Sequence, residues 1–257
     1  MIELNKIYNE DCLEGMKRIP DKSIDMILCD LPYGTTACKW DTIIPFEPLW
    51  EQYKRVIKPS GAIVLTASQP FTSALVMSNP KMFRYDWVWE KSRVTGVLNA
   101  KRQPLRIKED VLVFSINTPV YNPQGTYKCN KQTGTGVARD GSQGLATGKI
   151  TQTSNGKYRQ TVTGYPRNII RIPSDGRTKH PTQKPVALFE YLIKTYTNEG
   201  ETVLDNCMGS GTTAVACLNL NRNYIGFELD ETYFNLSSER IRRNNHVRIH
   251  NEVNVSR

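Results

Sequence analysis

Nowhere in its 257 residues does the chain carry an apolar run approaching the roughly 18 residues of a membrane-crossing helix, so no membrane span is expected. Its opening residues, Met1-Ile2-Glu3-Leu4-Asn5, lack the basic and apolar regions of a secretory signal. Six cysteines are scattered without a Cys-x-x-Cys pair, which argues against both a zinc site and a disulfide framework. Histidine is scarce. His246 and His250 stand four apart, but no carboxylate or cysteine pattern accompanies them, so no metal site is read there. No internal repeat is visible. Together these absences point to a reducing, cytoplasmic setting.

What is present is organised around Cys29-Asp30-Leu31-Pro32-Tyr33-Gly34. It follows the apolar run Ile24–Cys29, which reads as a buried strand. Pro32 cannot donate to a strand ladder, so the strand must end by Leu31, and Gly34 permits a sharp exit. A rigid tip at the carboxyl end of a strand is where open α/β sheets bind ligands. Asp30 and a backbone carbonyl suit the two hydrogens of an amino group on a flat molecule, and Tyr33 suits the ring. A plain strand-to-turn junction accounts for these six residues equally well.

The second anchor is Thr202–Ala214. A short strand ends at Asp205, a glycine turn with Gly209 and Gly211 follows, and a helix opens at Thr212. Glu228 ends a second strand, 23 positions after Asp205, the distance expected of an acid that grips ribose hydroxyls. By spacing alone, a nicotinamide cofactor and an adenosyl cofactor both remain open.

Asp30-Leu31-Pro32-Tyr33, Asp205 through Thr213 and His180-Pro181-Thr182-Gln183-Lys184-Pro185 together resemble the signatures of amino-directed DNA methyltransferases. With the catalytic tip first and the cofactor loop last, their order is similar to the permuted beta class of that family, and the resemblance runs from about Ile7 to about Ile241. The compact Asp30 to Trp40 pattern looks like that of phage-borne stand-alone enzymes. Two places depart from the pattern. Leu31 stands where proline is usual, and Asn206-Cys207 replaces proline-phenylalanine, so an aromatic contact to the cofactor from position 207 is not implied.

The resemblance implies a Rossmann-like, circularly permuted α/β fold that uses S-adenosylmethionine. Asp30, Pro32 and Tyr33 would meet the target base. Asp11, Thr182, Gln183, Asp205, Gly209, Gly211 and Glu228 would hold the cofactor, with Asp11 at its adenine end and Thr182 and Gln183 near its methionyl end. Read without the family, Asp11 is a helix N-cap and Thr182 caps the helix from Lys184 to Tyr196.

Between the anchors, Pro45 to Ile57 reads as an amphipathic helix stopped by Pro59-Ser60-Gly61, and Ala62 to Thr66 as a strand. Ser68 caps a further helix carrying Phe71, Leu75 and Val76. Phe83, Tyr85, Trp87 and Trp89 alternate along a strand with one aromatic face, and Val111 to Ile116 is the next strand. Strands alternating with helices imply a mostly parallel sheet with helices on both faces. One domain over residues 1–257 is expected, holding a polar insertion at 118–171.

Acidic residues all but vanish from that insertion. From Tyr121 to Arg171 there are eight lysines and arginines, among them Lys128, Lys131, Arg139 and Lys149, against the single acid Asp140. That accounts for +7 of a formal net charge of +9. Such concentration is the footprint of phosphate binding, and its Arg, Asn and Gln are residue types that read base edges. The insertion is therefore the candidate for target recognition on DNA, with Lys91 to Lys108 next in line.

Three functions compete. A nicotinamide dehydrogenase leaves only 46 residues after Gly211 and gives Asp30 to Tyr33 no task. A non-catalytic nucleic-acid-binding module explains the charge but neither motif. A methyltransferase uses all three features, and by resemblance the acid at position 30 favours N6 of a flipped adenine over N4 of cytosine. RNA and protein-amide methylation are less favoured. DNA is the expected partner; no protein partner is required, and a homodimer is left open.

Overall fold

A computed structural model describes residues 2–35, 38, 41–133, 158–175 and 183–255. The chain divides into two compact units, residues 1–122 with 167–257, and residues 123–166.

The larger unit is built on eight strands. They are β1 (Lys6–Tyr8), β2 (Ile24–Cys29), β3 (Ile57–Ala67), β4 (Phe83–Thr95), β5 (Arg106–Phe114), β8 (Ile169–Arg171), β9 (Thr202–Asp205) and β10 (Asn223–Phe227). Their order across the sheet is β1-β10-β9-β2-β3-β5-β4-β8. Every neighbouring pair is parallel except those that β5 makes with β3 and β4. Because β5 is the only reversed strand, the other seven direct their carboxyl ends to one edge, and β5 begins there.

Both faces of the sheet are covered, which is why β2 reads as a continuous apolar run. Met26 and Leu28 pack with Leu188, Phe189 and Leu192 of α4 (Val186–Tyr196), with α5 (Thr212–Asn219) and with the start of α6 (Glu231–Val255). Ile27 and Cys29 face the opposite layer, made by α1 (Cys12–Met16), α2 (Phe46–Val56) and α3 (Phe71–Ser78). Among the described residues no helix is long and apolar enough to cross a membrane.

Three local expectations are corrected. The helix expected over Pro45 to Ile57 stops at Val56, and Ile57 already starts β3. Pro59 is tolerated there because it sits in a bulge: Ile24 pairs with Ile57, whereas Met26 pairs with Ala62. Ser68 is not the cap of α3; Pro70 precedes that helix with no side-chain cap bond, and Ser68 offers only its carbonyl to Thr72 N. The aromatic face of β4 is broken by an irregularity between Phe83 and Tyr85. Trp87 and Trp89 join the α4 side of the core, while Phe83 packs on Phe114 in the opposite layer.

The smaller unit pairs β6 (Tyr127–Thr133) with β7 (Tyr158–Thr163), antiparallel. Lys128 and Lys131 lie on β6. Arg171, counted with the insertion by composition, belongs to the larger unit, where its Nε donates to Glu90 Oε2 at 3.0 Å. Arg139 and Lys149 lie outside the described residues.

Candidate active site

One cavity of about 1040 Å³ opens at the edge where the strand ends converge. At one side of it stands Asp30, immediately after β2. Its Oδ1 accepts from the Tyr33 hydroxyl at 2.7 Å and from the Thr66 hydroxyl, and its Oδ2 accepts from Lys184 Nζ at 2.7 Å. Thr66 arrives on β3, the strand next to β2, and Lys184 just precedes α4.

Tyr33 is partly buried and lines the cavity. Its hydroxyl is tied to Asp30 and its ring stacks on Phe71, with centroids 5.2 Å apart and planes 23° apart. Burial, followed by the negative charge of Asp30, raises the phenol well above its ordinary pKa, so it stays a donor. Leu31 points into the core between the two site residues that flank it.

Behind Asp30 the network continues. Lys184 Nζ is also 3.2 Å from Glu109 Oε2, and Lys91 Nζ donates to Glu109 Oε1 at 3.0 Å. Burial opposes the charge on Lys184, but the carboxylates of Asp30 and Glu109 outweigh it and raise its pKa.

The other side of the cavity is built differently. Glu228 follows β10, and its oxygens accept from two backbone amides, Gly209 N at 2.6 Å and Asp230 N at 2.9 Å. Gly209 takes a positive φ of 52°, a backbone conformation that glycine adopts readily. Burial raises the Glu228 pKa against the pull of those amides. Asp205, at the end of β9, accepts from Cys207 N at 3.0 Å and from the Thr213 hydroxyl. Burial nevertheless pushes its pKa up to about 7. Asp11, after β1, serves as the N-cap of α1: its Oδ1 accepts from Leu13 N at 2.8 Å and Glu14 N at 3.2 Å. It also lines the cavity, so the capping and lining positions coincide.

The cavity thus collects Asp11, Asp30, Pro32, Tyr33, Gln183, Asp205, Gly209 and Glu228. Gln183 sits at its wall, donating to Asp175 Oδ2 at 3.0 Å. Gly211 is not part of the lining. Its φ is +80°, and a Cβ there would come 3.0 Å from Cβ of Ser237 on α6, so helix packing is what requires glycine. Lys128 and Lys131 lie in the other unit, and Thr182 is outside the described residues.

Sequence reasoning missed Lys184, Glu109 and Thr66 as site residues. Lys184 stands inside one of the three motifs, but its spacing reads only as a helix start. Arg93, Arg106 and Lys108 belong to the Lys91 to Lys108 segment placed second for target recognition; they line the cavity from the facing ends of β4 and β5. Among the described residues no cluster of His, Cys, Asp or Glu is arranged to hold a metal.

This arrangement has known counterparts. Residues 24–239 match the N6/N4 family of proteins described as DNA methylase. The type II methyltransferase M1.MboII of Moraxella bovis is 25% identical over 91% of this chain and 95% of its own length. The DNA adenine methyltransferase YhdJ of Escherichia coli K12 is 28% identical over 93% of this chain and 83% of its own. Among solved structures, the M1.HpyAVI complex with SAM superposes with a TM-score of 0.61 at 26% identity, covering 91% of this chain and 98% of that one. The cytosine-N4-specific PvuII DNA methyltransferase shares the fold, with a TM-score of 0.63 at 17% identity over 91% of this chain and 84% of that one. The match over residues 24–239 takes in both the Asp30 tip and the Asp205–Glu228 side of the cavity, and the chain belongs to the N6/N4 DNA methylase family.

Proposed function

We propose that the protein transfers the methyl group of S-adenosylmethionine to the N6 amino group of an adenine flipped out of DNA, with the motif order of the beta class. The observation that carries this reading is the single cavity joining Asp30-Leu31-Pro32-Tyr33 to Asp205 and Glu228. Adenine is favoured over cytosine by the acid at position 30 and by the likeness to YhdJ, which is named an adenine enzyme.

The cofactor fits the donor set on the Glu228 side. Glu228 is clamped by two amides and so presents fixed acceptors for ribose hydroxyls, and Asp11 and Asp205 stand at neighbouring strand ends. Gln183 and the start of α4 would hold the methionyl end. When bound, the cofactor supplies an already activated methyl group on a sulfonium.

The chain's own task is positioning. An exocyclic amine is a poor nucleophile because its lone pair is delocalised into the ring. Hydrogen bonds from its two hydrogens to Asp30 and the Pro32 carbonyl favour a pyramidal nitrogen whose lone pair points at the methyl group. Tyr33 forms the aromatic wall that replaces part of the stacking lost on flipping. Neither a catalytic histidine nor a metal is required by this scheme. Lys128, Lys131, Arg139 and Lys149 contribute DNA affinity and target choice, and Arg93, Arg106 and Lys108 approach the backbone beside the cavity.

Single-molecule sequencing of DNA from cells expressing the protein tests this. The expected outcome is N6-methyladenine in one sequence context. N4-methylcytosine would overturn the adenine assignment and leave the site intact, whereas unmodified DNA would overturn the reading of the site.

A further inference from the structure

Among the described residues Lys184 is the only buried lysine or arginine, 7% exposed, and the scheme above gives it no task. Burying an ammonium costs several kcal/mol unless its partners are well placed. A methionine of similar length would fill the space without that penalty.

The partners are unequal. Lys184 Nζ makes a hydrogen bond to Asp30 Oδ2 at 2.7 Å. Glu109 Oε2, 3.2 Å away, lies within ion-pair distance but is a buried oxygen with no hydrogen bond among the described residues. Glu109 itself is held in place through its other oxygen by Lys91 at 3.0 Å. One ammonium therefore stands between a carboxylate satisfied at both oxygens and one satisfied at a single oxygen.

The satisfied carboxylate is the one an incoming amino group needs. A carboxylate offers about four lone-pair sites. On Asp30 both sites of Oδ1 are taken by the Tyr33 and Thr66 hydroxyls, and Lys184 occupies Oδ2. The one site left is on Oδ2, so an amino hydrogen aimed at Asp30 must share that oxygen with Lys184 and weaken its hold there. A short displacement of Nζ toward Glu109 would clear Oδ2 and at the same time satisfy Oε2. Lys184 Nζ is also 5.6 Å from the centre of the Tyr33 ring, so the ammonium borders the aromatic wall as well as Asp30.

We propose that Lys184 is a positioning residue that aims Asp30 before the target base arrives, and that it re-pairs with Glu109 when the amino group of the base takes its place on Asp30. The inference rests on the amino-methyltransferase reading above. No bond is made or broken in the exchange, and Lys184 stays protonated throughout.

The test uses the full-length protein, a duplex carrying its target site, and three forms: unsubstituted, E109Q, and K184M/E109Q. The double variant removes one charge of each sign, so the net charge of the cluster is kept if Lys184 alone cannot be replaced. Two readouts are taken. In single-turnover methylation at saturating cofactor, both variants should lose about tenfold or more, the scale of one charge-assisted hydrogen bond, while calorimetric cofactor affinity stays within about twofold. Nitrogen NMR of the lysine ammonium groups should show the Lys184 resonance shift when target duplex and a non-reactive cofactor analogue are added, and E109Q should abolish that shift. Undiminished turnover in E109Q, or a Lys184 resonance that does not respond to DNA in the unsubstituted protein, overturns the exchange. If the unsubstituted protein methylates no amino group, the reading of the site fails instead, and the NMR response still decides whether Lys184 changes partner.

Discussion

The two sides of the cavity hold their acids by opposite means. On the side proposed for the cofactor, Glu228 is gripped by backbone amides of Gly209 and Asp230, groups that cannot move without rebuilding the loop. On the side proposed for the target base, Asp30 is gripped by three side chains, the hydroxyls of Tyr33 and Thr66 and the ammonium of Lys184, which rotate about their own bonds. A site that must receive the same cofactor in every cycle gains from rigid acceptors. In the proposed reading, a site that admits a base swung out of a duplex gains from an acceptor whose donors can be exchanged. The strength of an acid's hydrogen bonds therefore says less about its role than whether the donors are main chain or side chain.

The sharpest way to break the comparison is Asp30→Ala. Methyl transfer should fall to background while calorimetric binding of S-adenosylmethionine is largely retained, because the two sides are built from different strands. A variant that loses cofactor binding yet turns over at saturating cofactor would show that the sides have been assigned the wrong way round.

Glu228→Ala should weaken cofactor binding by roughly 1–3 kcal/mol, the range for hydrogen bonds to a charged group, and leave the single-turnover rate at saturation nearly unchanged. Tight binding of a nicotinamide dinucleotide in place of S-adenosylmethionine would contradict the identity of the ligand on this side.

Asp205 sharpens the comparison through pH. Its folded-state pKa of about 7 lies above the ordinary 3.8, so the free protein retains the proton that the unfolded chain releases. The stability this contributes is complete below about 3.8, declines as pH rises, and is lost once pH passes about 7. A sulfonium cofactor favours the ionised carboxylate. Its dissociation constant should therefore fall as pH rises from about 6 to about 8, by at most about tenfold per unit below the pKa, and Asp205→Asn should flatten the profile. A profile that is flat in the unsubstituted protein would remove Asp205 from the cofactor contacts.

The smallest effect is expected farthest from either acid. Neutralising Lys128 and Lys131 should lower the salt dependence of DNA binding by about one unit of slope for each phosphate no longer met by a lysine, with cofactor affinity unchanged. An unaltered slope would shift recognition to the segment from Lys91 to Lys108, which carries six lysines and arginines and no acid.

Much of this was legible in the chain. Pro32 and the apolar run before it located the end of β2, and the glycines after Asp205 located the start of α5, because each rests on a local rule of backbone chemistry. The bulge at Pro59 and the broken aromatic face of β4 were not legible, since both depend on which residue of a neighbouring strand lies opposite. The partnership of Lys184, Asp30 and Glu109 was hidden for the same reason. It joins residues from three distant segments, and no spacing along the chain links position 30 with 109 or 184.

The placement of β2 has a consequence for how the protein is made. This strand pairs with β3 on one side and with β9 on the other, Met26 opposite Val203, and Asp25 Oδ2 accepts from Thr202 N at 3.0 Å. Its second neighbour thus leaves the ribosome some 170 residues after it does. Until then β2 carries an open, apolar edge in the middle of what will be the sheet, the kind of edge that captures strands from other chains. Contacts so distant in sequence also slow folding. The half-made chain, before β9 arrives to close that edge, is therefore the stage at which aggregation competes most strongly with folding.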